Sequence, residues 1–244
     1  MIDIRGLRKT FGKVVAVDEV SFSAPDASIT GLLGPNGAGK TTTLRMLYTL
    51  LEPDSGTALV DGVNPSVDPQ EVRRRIGVLP DAKGLYPRLT PREHIHYWGG
   101  LHGMSGEAIE RRCEELLEML DLRKHADRRC EGFSQGERMK VAIARAVVHD
   151  PKNVLLDEPS NGLDVMSTRA LRELIRGFRE QGRCVLFSSH IMQEVAALCD
   201  RIVVIAKGRV VSEGTPDELL AATGKESLEE AFMQIIGTDE GLGT

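Results

Sequence analysis

Residues 34–41 constrain this chain more than any other stretch: Gly34-Pro35-Asn36-Gly37-Ala38-Gly39-Lys40-Thr41. They fill every fixed position of the pattern G-x-x-x-x-G-K-[ST]. Before them stands Ile29-Thr30-Gly31-Leu32-Leu33, a short and largely apolar run that predicts a buried strand. After them, Thr42-Thr43-Leu44-Arg45-Met46-Leu47 predicts a helix. A strand that feeds a helix through glycines can turn successive backbone N–H groups inward on an anion. The helix N-terminus adds unpaired donors and the positive end of its dipole. In that setting Lys40 would reach the β- and γ-phosphates of a nucleotide, and the Thr41 hydroxyl would hold Mg²⁺. The plain alternative is a glycine-rich turn. The complete pattern and its flanks argue against it.

A length of 244 residues suits one large domain or a core with a subdomain, with ample chain for a hydrophobic interior. The net charge of −5 gives no general nucleic-acid footprint. Cys113, Cys130, Cys184 and Cys199 form no C-x-x-C pair, so reduced, mostly buried thiols are expected. No apolar run is long enough for a membrane span. The start, Met1-Ile2-Asp3-Ile4-Arg5, lacks a basic-then-apolar signal pattern. The expected location is the cytoplasm, with any membrane reached through a partner.

Along the chain, residues 1–24 alternate apolar and polar and predict two or three antiparallel strands, with Phe11-Gly12 in a turn. Thr57 to Val60 and Ile76 to Leu79 read as short strands, and Arg73-Arg74-Arg75 as a solvated helix face. After Asp81 helical patterns take over. Cys113, Leu116, Leu117 and Leu120 fall at i, i+3, i+4, i+7. Thr90-Pro91-Arg92-Glu93 predicts a capped helix start, and a second helix is expected from about Glu137 to Val148. This block, about 82–149, reads as a helical subdomain inserted into an α/β core of about 1–81 and 150–222. Strands are expected at 154–156 and 184–187, helices at about 168–178 and 192–198, and a hairpin around Lys207-Gly208. Thr215-Pro216-Asp217-Glu218 opens a short C-terminal helical extension. The domain is expected to end near 236, with residues 237–244 a disordered tail. His94, His96 and His102 match no metal-binding spacing.

Phosphate chemistry needs a metal partner and a base. Val154-Leu155-Leu156-Asp157-Glu158 is an apolar strand ending in two carboxylates. Asp157 can bind Mg²⁺, directly or through water, and Glu158 can orient and deprotonate a water. That division of labour is what hydrolysis of a γ-phosphate requires.

With these residues in place, the chain resembles the ATP-binding subunit of an ABC transporter over residues 2 to about 222. The resemblance implies a P-loop NTPase (RecA-like) α/β core with an antiparallel β subdomain. Phe133-Ser134-Gln135-Gly136-Glu137 stands where that family has Leu-Ser-Gly-Gly-Gln, and Ser160-Asn161-Gly162-Leu163-Asp164 stands where it has its D-loop. Ser189-His190 matches the switch histidine, Phe11 the aromatic that stacks on adenine, and Leu79-Pro80-Asp81 the start of the Q-loop. Ser134, Gln135 and Gly136 open a helix and so form a second anion-binding end. The resemblance implies that this end, with Glu137, meets the γ-phosphate held by Lys40 of a second copy, in a head-to-tail homodimer closed by ATP. It also implies that His190 keeps Glu158 and the water in line, that Thr42 joins the phosphate loop, that Asp164 lies at the seam, and that a membrane-spanning permease subunit is the partner.

Two departures stand out. Asp81 replaces the usual glutamine; it is shorter, charged and acceptor-only, yet it could still face Mg²⁺ or its water shell. Gln135 replaces a glycine, and Glu137 replaces the usual glutamine. The segments around Asp81, Tyr86 and Asp164 resemble the sodium-export, NatA-type branch. A soluble ATPase of this type acting on nucleic acid or the ribosome is the competing reading. The single domain, the absence of a long heptad run and the acidic balance argue against it.

Overall fold

The computed structural model describes residues 1–81 and 84–240. The alternating start of the chain folds into β1 (Ile2–Phe11) and β2 (Val14–Ala24), an antiparallel hairpin burying Ile2, Ile4, Leu7, Val17, Val20 and Phe22. Next come β3 (Ser28–Leu33), α1 (Lys40–Leu47) and β4 (Ser55–Val60), and β4 pairs with β1. Helix α2 (Pro69–Arg75), capped by the Asp68 side chain, leads into β5 (Ile76–Leu79).

Helices α3 (Pro91–Leu101), α4 (Gly106–Met119) and α5 (Gln135–Val147) form the helical block. Helix α3 starts on a reciprocal cap: Glu93 N–H donates to Thr90 Oγ1 at 3.1 Å, and Thr90 N–H donates to the Glu93 carboxylate at 2.8 Å. Cys113, Leu116, Leu117 and Leu120 are all buried, as their helical spacing predicts. Helix α3 packs on α4 and α5, and α5 packs on β5, which ties the block to the sheet.

The rest of the chain is β6 (Asn153–Asp157), α6 (Val165–Glu180), β7 (Cys184–Ser189), α7 (Met192–Leu198), β8 (Arg201–Ala206), β9 (Arg209–Gly214), α8 (Pro216–Thr223) and α9 (Leu228–Glu240). The larger sheet has the order β5-β6-β7-β3-β8-β9, parallel except for β9. Strands β3, β6 and β7 are buried along their whole length, as strands covered on both faces must be. Leu155 and Leu156 of β6 enter different core clusters. Leu155 joins the one shared with the antiparallel sheet, and Leu156 joins the one shared with the helical block. The sheet is thus sandwiched, and the carboxyl ends of β6, β7 and β3 lie side by side, where open parallel sheets bind ligands.

Some element ends differ from expectation. Helix α6 starts at Val165, ahead of Thr168, because the Asp164 carboxylate accepts from Ser167 N–H at 2.7 Å and caps it there. Helix α5 starts at Gln135, two residues early, on its Ser134 cap. Helix α9 runs through Gly237 to Glu240, where the tail was expected to lose structure. One glycine costs a helix only about 1 kcal/mol, and α9 is held by buried Ala231 and Ile236. The remainder of that tail, 241–244, lies outside the described residues. All four cysteines are free thiols in buried positions, and burial pushes Cys113 and Cys130 up to about 11.

Candidate active site

The glycine loop leaves β3 and enters α1 with backbone angles that side chains resist. Gly37 has φ +81° and Gly39 φ +104°. A Cβ at Gly39 would stand 2.5 Å from Ala16 O, and one at Gly34 would stand 2.2 Å from Ile205 O. The loop is therefore pressed between β2 and β8, and glycine is required for the close approach. Pro35 is half-buried, Asn36 and Gly37 are exposed at the tip, Ala38 is buried, and Thr42 is half-buried on the first turn of α1.

Lys40 is 5% exposed. Its ammonium donates to Gly34 O at 2.7 Å and Pro35 O at 3.1 Å, and pairs with Glu158 Oε1 at 3.2 Å. The other Glu158 oxygen, Oε2, is 2.9 Å from His190 Nδ1. Loop lysine, strand-end carboxylate and strand-end histidine thus form one chain of contacts. Glu158 has φ +47°, and its N–H donates to Ser188 Oγ at 2.9 Å. A non-glycine residue held in this region marks a place where surrounding structure overrides local preference, which is common at functional sites.

Asp157 is 2% exposed. Its Oδ1 accepts from Ser188 Oγ at 2.6 Å and from Thr41 Oγ1 at 3.1 Å, while its Oδ2 is buried without a hydrogen-bond partner. A buried carboxylate oxygen without a donor, beside a threonine hydroxyl, fits a hard cation with oxygen ligands such as Mg²⁺. Burial pushes the Asp157 carboxyl above its ordinary range. The hydrogen bonds from Ser188 and Thr41 oppose this, and the charges of Asp81 and Glu158 add to it. Asp81 is exposed just beyond β5, and that electrostatic reach is what ties it to the site.

Phe11 ends β1 and is 48% exposed. It pairs in register with Val14 of β2, the strand whose Ala16 carbonyl faces Gly39. Asp54 lies just before β4. Its Oδ2 accepts from both the N–H and hydroxyl of Thr10 at 2.6 Å, which anchors the strand end before Phe11 and holds Asp54 down to about 2. Ser188 was missed by sequence reasoning. Its one signal was a pair of small hydroxyl residues closing an otherwise apolar strand.

Ser134, Gln135, Gly136, Glu137 and Asp164 form a separate group. Ser134 Oγ accepts from Glu137 N–H at 3.2 Å, and the Glu137 carboxylate accepts from Ser134 N–H at 2.7 Å. A Cβ at Gly136 would stand 2.3 Å from Ser167 Oγ, so the start of α5 sits against the start of α6, which Asp164 caps. Among the described residues, no hydrogen bond or ion pair joins this group to Lys40, Glu158 or His190. Ser134 and Gln135 face outward, exposed.

The family model described as ABC transporter matches residues 17–161, more than half of the chain. The chain belongs to the ABC transporter family. It is 45% identical over 90% of its length to the ABC transporter ATP-binding protein NatA of Bacillus subtilis, of which the match covers 90%. It is 35% identical to the linearmycin resistance ATP-binding protein LnrL of the same organism, over 93% of this chain and 73% of that one. It is 39% identical to the Nod factor export ATP-binding protein I of Burkholderia lata, over 90% and 72%. A solved structure described as the ATP binding subunit of an ABC transporter superposes with a TM-score of 0.88 at 30% identity, covering 96% of this chain and 99% of that one. The architecture is that of the P-loop NTPases, and the chain is an ATP-binding subunit of the ABC transporter type. Among the described residues no helix is long and apolar enough to cross a membrane.

Proposed function

We propose that this ABC subunit hydrolyses ATP and uses the cycle to drive a separate membrane-spanning permease. The observation that carries the reading is the line Lys40–Glu158–His190, with contacts of 3.2 and 2.9 Å and its lysine and carboxylate buried. It sets a cation for the phosphates, a carboxylate for the water and an imidazole to hold that carboxylate in one place. Lys40 meets the β- and γ-phosphates in place of the Gly34 and Pro35 carbonyls, and the N–H groups of Gly37, Gly39, Lys40, Thr41 and Thr42 line the same anion. Thr41 Oγ1 and the unpartnered oxygen of Asp157 would hold Mg²⁺, with Asp81 near enough to act on it through charge, and the bound ion would supply positive charge against the phosphates. Phe11 stacks on the adenine.

Glu158 takes a proton from water as the water oxygen bonds to the γ-phosphorus. The bond to the β–γ bridging oxygen breaks, leaving ADP and inorganic phosphate. His190 donates to the γ-phosphate with its other ring nitrogen and keeps Glu158 aimed at the water.

Ser134 and Gly136, with Gln135 and Glu137, are exposed or sit at a helix start away from Lys40. Their place in the cycle is at the γ-phosphate of a second copy, with Asp164 at the seam. ATP then joins two chains head to tail. The helical block of 82–149 passes that closure to the permease, and the core of 1–81 and 150–222 holds the nucleotide. The similarity to a Nod factor export ATP-binding protein favours an exporter, working from the cytoplasmic face of the membrane.

The test is Glu158→Gln in the full chain with ATP and Mg²⁺. It removes the base and leaves a side chain of the same shape, so hydrolysis should fall by at least roughly a hundredfold while ATP still binds. Light scattering should then find a trapped dimer. Hydrolysis at the wild-type rate would exclude Glu158 as the base, and a monomer with bound ATP would exclude the head-to-tail arrangement.

A further inference from the structure

Glu194 lies in the first turn of α7, is 6% exposed, and has no part in the steps above. Its Oε2 accepts from two hydroxyls, Ser160 Oγ at 2.5 Å and Ser189 Oγ at 3.2 Å. Both serines are buried. Ser189 closes β7 just before His190, and its oxygen accepts from the N–H of Ile191, just after His190, at 3.0 Å. Ser160 lies two residues past Glu158, and its carbonyl accepts from Leu163 N–H at 3.0 Å in the loop that ends on Asp164. A single carboxylate oxygen therefore ties the backbone on both sides of His190 to the loop between Glu158 and Asp164.

A buried carboxylate is costly unless hydrogen-bonded. Here its donors come from two separate loops, so it is satisfied only while both loops keep their places. The His190 side chain is 35% exposed, so packing alone does not fix it. Its aim at Glu158 depends on how its backbone is held, and that hold runs through Ser189 to Glu194.

We infer that Glu194 is a positioning residue: it sets the His190 loop and residues 160–164 in register, so that the base–histidine contact and the Asp164 end of the loop are fixed together. This rests on the reading of Glu158 and His190 as hydrolytic groups. No contact with nucleotide is assigned to Glu194.

The experiment is steady-state ATP hydrolysis by the full chain carrying E194A, E194Q, S160A or S189A, beside wild type and E158Q. Misplacing a reacting group by about 1 Å costs on the order of a hundredfold in rate. E194A should lose roughly 10- to 100-fold in kcat, with KM nearly unchanged. E194Q keeps an oxygen that accepts both hydroxyls and should regain most of that loss. S160A combined with E194A should cost little beyond E194A alone, since both cut the same link. A folded E194A with wild-type kcat overturns the inference, and so does an E194Q as impaired as E194A. If E194A does not fold, S160A and S189A decide, each losing one hydroxyl: lower kcat at constant KM is expected, and unchanged kcat overturns it. Hydrolysis by wild type and its loss in E158Q keep the underlying reading intact whatever Glu194 does. If wild type does not hydrolyse ATP, that reading falls, and hydrogen exchange judges the link. The amides of Asn161 and Ile191 should then exchange faster in E194A than in E194Q, and equal exchange overturns it.

Discussion

Lys40 answers to three acceptors at once, the Gly34 and Pro35 carbonyls and Glu158. Hydrogen bonds to charged groups contribute about 1.5–3 kcal/mol, so Lys40→Ala should weaken ATP binding at least roughly tenfold. Calorimetric titration showing unchanged affinity would contradict the cradle. Asp157 carries the pH dependence. Burial raises its folded pKa, so in the chain alone protonation stabilises the fold. That contribution is complete below the unfolded value of about 4 and is lost as pH rises through the raised folded value. Cation binding has the opposite sign, because the ligand must be ionised. Mg²⁺-dependent ATP affinity should therefore begin to weaken, on acidification, above the ordinary carboxylate range. Asp157→Asn should flatten that dependence at low affinity throughout, and an unaltered pH profile would rule Asp157 out. The types of these residues were legible because each motif is local. The orphaned Asp157 oxygen and the role of Ser188 were not, because they depend on which strand lies beside β6.

The helix starts separate two roles for one kind of cap. Ser134 with Glu137 and Thr215 with Glu218 form the same reciprocal cap, on α5 and α8. Removing a cap costs about 1 kcal/mol, or roughly 2–4 °C in melting temperature for a chain of this size. Ser134→Ala and Thr215→Ala should lose comparable stability in thermal melts. Ser134→Ala should lose hydrolysis as well, and Thr215→Ala should keep it. Equal activity in the two variants would leave Ser134 as a cap alone. Caps and amphipathic stripes were readable because they span one or two turns. The starts of α5 and α6 and the reach of α9 were misplaced, because side-chain caps and tertiary burial extended those helices past the apolar pattern.

On the scale of the whole molecule, the outward-facing start of α5 makes the assembly testable. Ser134→Asp keeps an excellent cap but, in the proposed head-to-tail pair, would point a negative charge at the phosphate of the second copy. Added to Glu158→Gln, it should leave the melting temperature unchanged and the ATP-bound chain monomeric in light scattering; a stable dimer would place the closing contact elsewhere. The motifs were all present in the chain order, and with them the phosphate loop, the two strand-end carboxylates, the histidine and the serine-led helix. Such features depend on spacing over a few residues, which a sequence states directly. Which of them meet was decided only by the fold. Strands β3, β6 and β7 are all short buried apolar runs with no mark of their neighbours. The order β6-β7-β3, which equally buried strands cannot encode one by one, is what brings Glu158 and His190 to Lys40 and lets Glu194 hold two distant segments with one oxygen.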